Sequence, residues 1–300
     1  MKYNVLNLTY FIIGWLWCVM WGIHGYTFFA LIGAITLISF QLYFNKSVLI
    51  YTKDLILMFF ITLSGIILEM ILMQTQLISY ENHWLFPPLY IICLYPLFSL
   101  LCNQTLEKIM ENKLFSFCLG LLIAPISYFV VYSLSGLNFS YPLYVTWILI
   151  GSLFGTYFYL ISYLKNVIDK AAAKTWKEKD NKDELKFFYD GSCPICKRGV
   201  CVLKEAKPNN ELKFIDITSK EEFSKNRGTL EYGTAMTAMH AMDNEGNKFV
   251  ALDAFAKAYA RSNFYVFATI LNIPFLRPIL DPMYRLFAKH RLFLTGRSKK

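Results

Sequence analysis

The sequence predicts a chain in two parts: a multi-pass α-helical membrane domain of six spans, followed by a C-terminal α/β domain. Three observations predict it. The 300 residues are 56% hydrophobic with a positive mean hydropathy, which is too apolar for an ordinary water-soluble chain. Charge is segregated. Residues 1–164 hold five Lys, five acids and no Arg, whereas residues 165–300 hold 25 Lys and Arg against 16 acids and carry the whole net +9. Near residue 185 long apolar runs give way to short ones separated by turn residues.

Stretches of about 17–25 apolar residues cross a bilayer. Six qualify: 7–23, 26–44, 54–77, 84–106, 114–134 and 141–164, the first two joined by a hairpin at Gly22-Ile23-His24-Gly25. The N-terminus does not read as a cleaved signal, because its apolar run continues into further spans without a small-x-small site. Lysines alternate between connections. Lys2 precedes span one, Lys46 and Lys53 follow span two, Lys108 and Lys113 follow span four, and a run from Lys165 to Lys182 follows span six. The other three connections hold no Lys or Arg. The positive-inside rule then predicts both termini in the cytoplasm.

Glu69 falls inside the third span, where an ionisable group is expensive and marks a functional candidate, unless it lies near a helix end or is bonded to a neighbouring helix. Pro87-Pro88, Pro96 and Pro125 are tolerated in spans where neighbours satisfy the freed carbonyls. Trp15 and Trp17, Glu69, "PPLYIICLYPLF" (87–98) and "APISY" (124–128) together resemble an uncharacterised family of small bacterial inner-membrane proteins. That pattern more often carries Gly at Ala124 and Asp at Glu69, and the resemblance implies no activity.

Residues 165–184 are charged and contain alanines; they read as a helical extension of span six and then a polar linker. The domain predicted for 185–300 opens with a strand at "LKFFY" (185–189) and a turn at Asp190-Gly191-Ser192. A helix follows from Pro194 to Ala206, then a strand at "LKFID" (212–216). Ser219 with Glu222 forms a capping box opening a short helix. "MTAMHAM" (236–242) and "KFVAL" (248–252) read as a hairpin about "DNEG" (243–246), and Asp253 caps a helix to Arg261. The order β-α-β-α-β-β-α is the thioredoxin arrangement. In the tail, Pro274, Pro278 and Pro282 punctuate short helices, with Asp281 as a cap; the tail either covers the sheet or lies on the membrane surface.

The chemistry sits in "YDGSCPICKRG" (189–199). A CxxC at a strand-to-helix junction places Cys193 at the helix N-terminus and Cys196 one turn inside. Unpaired N–H groups and the positive dipole end favour thiolate there. In such motifs the thiol pKa falls from ~8.5 to roughly 3.5–7.5. Cys193 is predicted exposed and nucleophilic, with Cys196 resolving the mixed disulfide. Pro194 suits the first helical turn, and Lys197 and Arg198 add positive potential. A cytoplasmic pair is catalytic or metal-binding rather than structural. Zinc needs four ligands, and only Cys201 and His240 supplement the pair, so no metal or other cofactor is expected. Cys201 is expected in the core. The other four cysteines lie in apolar spans as small buried hydrophobes.

"FYDGSCPICKRGVCVL", "MHAMDNEGNKFVALDAFAKAY" (239–259) and "LDPMYRLFAKHRLFLTGR" (280–297) resemble the DCC family of thiol-disulfide oxidoreductases. Asp190, Cys193 and Cys196 match its signature. The resemblance implies a thioredoxin-like fold and exchange between a dithiol and a disulfide, with a disulfide-containing protein or a small thiol as partner. Asp190 either takes a proton from Cys196 or binds water, or it forms a turn beside a Gly191 of unusual backbone angles. Thioredoxins face their dithiol with a cis-proline; residues 227–240 contain no Pro, so Gly233 to Met236 are expected to line that side. Membrane lipid is the other expected partner of the basic half; no nucleic-acid motif is present. A non-enzymatic redox sensor or a scaffold regulating the membrane domain is the alternative to an enzyme.

Overall fold

The computed structural model describes residues 2–44, 47–81, 83–206, 208 and 211–294. Lys46 and residues 295–297 of the DCC-like ending lie outside the described residues. The chain divides into two units, Met1–Ile168 and Asp169–Lys300.

The first unit is helical: α1 (Lys2–Ile23), α2 (Thr27–Phe44), α3 (Val48–Gln74), β1 (Ile78–Ser79), α4 (Leu89–Ile92), α5 (Leu94–Asn103), α6 (Glu107–Glu111), α7 (Lys113–Ser133), β2 (Asn138–Phe139) and α8 (Leu143–Lys179), which runs past Ile168. Helix α3 shows how the sequence sets its facing. Phe59, Leu63, Ile67 and Ile71 recur every fourth residue and are exposed, whereas Ile61, Gly65, Glu69 and Leu72 are buried. One face is thus apolar and outward, as lipid requires, and the other packs inward.

Four helical stretches are long and apolar enough to cross a membrane: Val5–Ile23, Val48–Gln74, Lys113–Ser133 and Leu143–Lys179. Of the six expected spans, these account for four, and the other two coincide with shorter apolar helices. The span predicted at 26–44 is one apolar helix, Thr27–Tyr43, but shorter. The span predicted at 84–106 is broken. Pro88 stands extended before α4, and a second helix begins after Cys93, so α5 has only ten residues. At 1.5 Å per residue, α5 is about 15 Å long, half a hydrocarbon core. Most of α5 is buried against the longer helices, where irregular backbone is tolerated.

The two ends of this unit differ. At one, Lys53 and Lys165 both approach Glu107, at 3.9 and 3.7 Å. At the other, Ile78 and Ser79 pair antiparallel with Phe139 and Asn138. The connections richest in lysine thus share an end.

The second unit holds β3 (Leu185–Tyr189), α9 (Pro194–Glu205), β4 (Leu212–Asp216), α10 (Lys220–Asn226), α11 (Tyr232–Ala235), β5 (His240–Asp243), β6 (Lys248–Val250), α12 (Leu252–Arg261), α13 (Tyr265–Leu271), a 3-10 turn (Pro274–Leu276) and α14 (Arg277–Leu294). The sheet order is β4-β3-β5-β6. Strand β3 runs parallel to β4 and antiparallel to β5, which pairs antiparallel with β6. "LKFFY" is central, so both faces are covered: Leu185 and Phe187 enter one apolar cluster, Phe188 the other.

Several expected details are corrected. Residues 236–239 are not strand; α11 precedes them and pairing starts only at His240. The hairpin turn is present, with Gly246 at φ +84° donating to the Asp243 carbonyl. Asp253 is not the cap of α12; the chain turns at Ala251, and Asp253 lies in the first helical turn, paired with Arg277. Asp281 does not cap either. Pro278 and Pro282 both lie within one continuous α14, and Asp281 accepts from Arg277 one turn earlier at 3.4 Å. The tail covers the sheet domain: the Tyr284 hydroxyl accepts the Met239 N–H at 2.9 Å, and its ring meets Phe255. The capping residue of α10 is Ser219, which accepts from Glu222 N–H at 3.4 Å.

Candidate functional site

The dithiol lies where β3 ends and α9 begins. Asp190 Oδ1 accepts the Ser192 N–H at 3.0 Å, closing an Asx turn, and the Asp190 carbonyl accepts the Cys193 N–H at 3.1 Å. Cys193 is then the N-cap, Pro194 occupies the first helical turn, and Cys196 falls one turn in. The three signature residues are brought together, and Asp190, itself buried, shapes the turn.

A residue the sequence reading passed over holds this turn from the neighbouring strand. Asp216, the last residue of β4, accepts the Gly191 N–H at 3.1 Å and both the N–H and hydroxyl of Thr218 at 2.8 and 2.7 Å. A Cβ on Gly191 would stand 1.8 Å from Asp216 Oδ2. Of the alternatives for this turn the Asx bond is present, and Gly191 is favoured by this close approach, without a positive φ. The signal was an acid ending a strand parallel to the motif strand, legible only once the pairing of Tyr189 with Asp216 is known.

Cys193 is less accessible than expected, and Cys196 is buried as its place inside the helix implies. Cys193 has 0% of its surface exposed and Cys196 8%, and neither is in a disulfide. The reason is packing: both join the apolar cluster of Phe187, Val200, Leu203 and Met239. Cys196 borders a cavity of about 70 Å³ closed by Met239, Phe255 and Tyr259, with Tyr284 and Phe287 of α14 over it. Met239, rather than the Gly233–Met236 stretch expected, is the residue that lines this side. Cys201 is likewise corrected, being exposed and not core. His240 is buried on β5 with Nδ1 2.9 Å from the Ala238 carbonyl. Burial, with Lys248, holds its imidazole below the usual range, against the Ala238 carbonyl. Among the described residues, no three His, Cys, Asp or Glu side chains gather as metal ligands.

Glu69 belongs to a separate site. It is 2% exposed and accepts three phenolic hydroxyls: Tyr128 and Tyr95 on Oε1 at 2.5 and 2.9 Å, and Tyr80 on Oε2 at 3.2 Å. Tyr95 reaches it because Gly65 leaves room; a Cβ there would meet the Tyr95 ring at 2.2 Å. Glu69 is thus both near the end of α3 and bonded to neighbouring segments.

Comparison with known proteins places both halves. Residues 187–297 match the family described as DCC1-like thiol-disulfide oxidoreductase. Residues 4–160 match the family described as Protein of unknown function (DUF2878). An uncharacterised chloroplastic protein of Arabidopsis thaliana is 32% identical over 139 residues, which is 46% of this chain and 61% of that protein, so the chain spans less than two thirds of that relative. No solved structure matches. The chain belongs to the DUF2878 family, whose pattern takes up more than half its length, and ends in a domain of the DCC1-like thiol-disulfide oxidoreductase family.

Proposed function

We propose that this protein is a membrane-anchored thiol-disulfide oxidoreductase, with Cys193 as nucleophile and Cys196 as resolving thiol. The observation that carries it is Cys193 at the N-cap of α9 with Cys196 one turn inside. The sheet order and the β-α-β start support a thioredoxin-like layout for the domain. In the forward step the Cys193 thiolate attacks one sulfur of a substrate disulfide. The Cys193–substrate bond forms as the old S–S bond breaks, and the leaving sulfur takes up a proton. Cys196 then loses its proton and attacks Cys193 Sγ, releasing the second substrate thiol. The substrate gains two electrons and two protons, and the chain keeps a Cys193–Cys196 disulfide. A reduced thiol partner restores the dithiol by the same exchange in reverse.

Burial adds a requirement. A thiol with no exposed surface cannot meet a disulfide, so the site must open first. Helix α14 is the cover on the Cys196 side, through Tyr284 and Phe287. Asp190 acts by holding the turn. A sensing role has one observation in its favour, since two buried thiols suit a dithiol that changes state rarely.

In full-length Cys196→Ser, exchange is expected to stop after the first attack. A disulfide substrate should leave a covalent adduct at Cys193 that reductant releases. An unmodified protein after prolonged incubation would count against the enzyme reading.

We place the lysine-rich end of the first unit, with Lys53 and Lys165, on the cytoplasmic side, and with it the C-terminal domain, in a bacterial inner membrane. Reporter fusions after Leu294 are expected to be active only in the cytoplasm. Activity confined to the other side would reverse the orientation and put the dithiol in an oxidising compartment.

A further inference from the structure

The first unit contains a cavity of about 290 Å³ with one carboxylate in its wall. We propose that it is a binding site for a lipophilic organic monocation, whose charged head meets Glu69 and whose apolar body fills the cavity. This is independent of the thiol chemistry and concerns the half of the chain whose family has no known function.

The polar end is built from four segments. Glu69 comes from α3, Tyr80 from the stretch after β1, Tyr95 from α5 and Tyr128 from α7. Three hydroxyls aimed at two oxygens suit an acceptor-only carboxylate, which has about four lone-pair positions. Oε1 takes two of these donors and Oε2 one, so acceptor capacity remains on Oε2. Among the described residues, Glu69 makes no ion pair. The lysines that pair in this unit, Lys53 and Lys165, do so with Glu107 at the end opposite β1 and β2. The carboxylate therefore favours positive charge at this end of the cavity.

The remaining wall selects the rest of the ligand. Phe11, Trp15, Phe98, Phe154, Tyr157 and Phe158 line it. Aromatic faces attract a cation held within about 6 Å and give an apolar body its contacts. An inorganic cation is a poorer fit, because calcium or magnesium needs six or more oxygen ligands, and this wall offers one carboxylate whose neighbouring tyrosine hydroxyls already donate to it. An anion would be repelled. A neutral acyl chain would fit the walls but would have no use for Glu69. The volume is at the lower limit of small-molecule pockets, so the ligand is compact.

Full-length protein in lipid nanodiscs is titrated calorimetrically with benzyltrimethylammonium and with neopentylbenzene, which has the same shape and no charge. The proposal expects saturable binding of the cation, at least tenfold tighter than the neutral compound, and at least tenfold weaker in Glu69→Gln. Equal binding of the two compounds would overturn it and make the cavity an acyl-chain site. Unchanged cation affinity in a folded Glu69→Gln would also overturn it, as would no saturable cation binding to the unaltered chain. Should Glu69→Gln fail to fold, the preference between the two compounds in the unaltered protein still decides.

Discussion

Full-length Cys193→Ser is expected to lose disulfide reduction by about three orders of magnitude or more, since removing a nucleophile abolishes the covalent route and leaves only background exchange. Cys196 cannot replace it. It lies one turn inside α9, away from the unpaired N–H groups of the helix terminus, and borders the closed cavity under α14. Cys201→Ser, on the exposed face of the same helix, is expected to keep full turnover. The check is the rate of thiol release from a small disulfide, followed with the three proteins side by side. Turnover retained by Cys193→Ser would reassign the nucleophile.

Arg261→Ala is expected to cost the C-terminal unit about 3–5 kcal/mol, the range for breaking a buried pair by removing one partner. Arg261 is buried, and its guanidinium donates twice to Glu178 Oε1 at 2.7 Å and to the Asp183 carbonyl at 2.5 Å. Lys257 donates to the other Glu178 oxygen at 2.5 Å. One carboxylate on the last turns of α8 is thus held by two cations from α12. Removing Arg261 leaves Glu178 half-paired and the Asp183 carbonyl without this donor. Scaled to a unit of this size, the melting temperature should fall by about 10 °C or more. Arg261→Lys should recover only part of this, because an ammonium cannot reproduce the fork. A melting temperature within 2–3 °C of the parent, roughly the shift from 1 kcal/mol, would show the triad to be dispensable.

Much of this arrangement was legible from local pattern. "LKFFY" and "LKFID" are strands at the expected bounds because alternation and turn residues are local signals. The dithiol junction followed from the same strand and from Pro194. What was missed depends on distant partners. Asp216 supports the motif turn only because β4 lies parallel to β3. Cys193 looked exposed because part of the cluster that buries it, Met239 and Ala254, arrives more than 40 residues later in the chain. Residues 236–239 read as strand with the apolar residues that follow but lie ahead of the pairing that begins at His240. Hydropathy measures apolar length and not continuity of helix, so 84–106 read as one span although Pro88 and the break at Cys93 divide it. Glu69 was visible as an anomaly, whereas the three tyrosines that converge on it could not be grouped from sequence separations of 11, 26 and 59 residues.

The most direct test of the central claim is a single-turnover reaction between the reduced full-length protein and a small disulfide, read by intact mass and peptide mapping. Dithiol exchange predicts that the unaltered protein loses two hydrogens and carries a Cys193–Cys196 disulfide, while Cys196→Ser stops as an adduct on Cys193 alone. An adduct on Cys196 in place of Cys193, or a protein that remains fully reduced while disulfide is in excess, would contradict it.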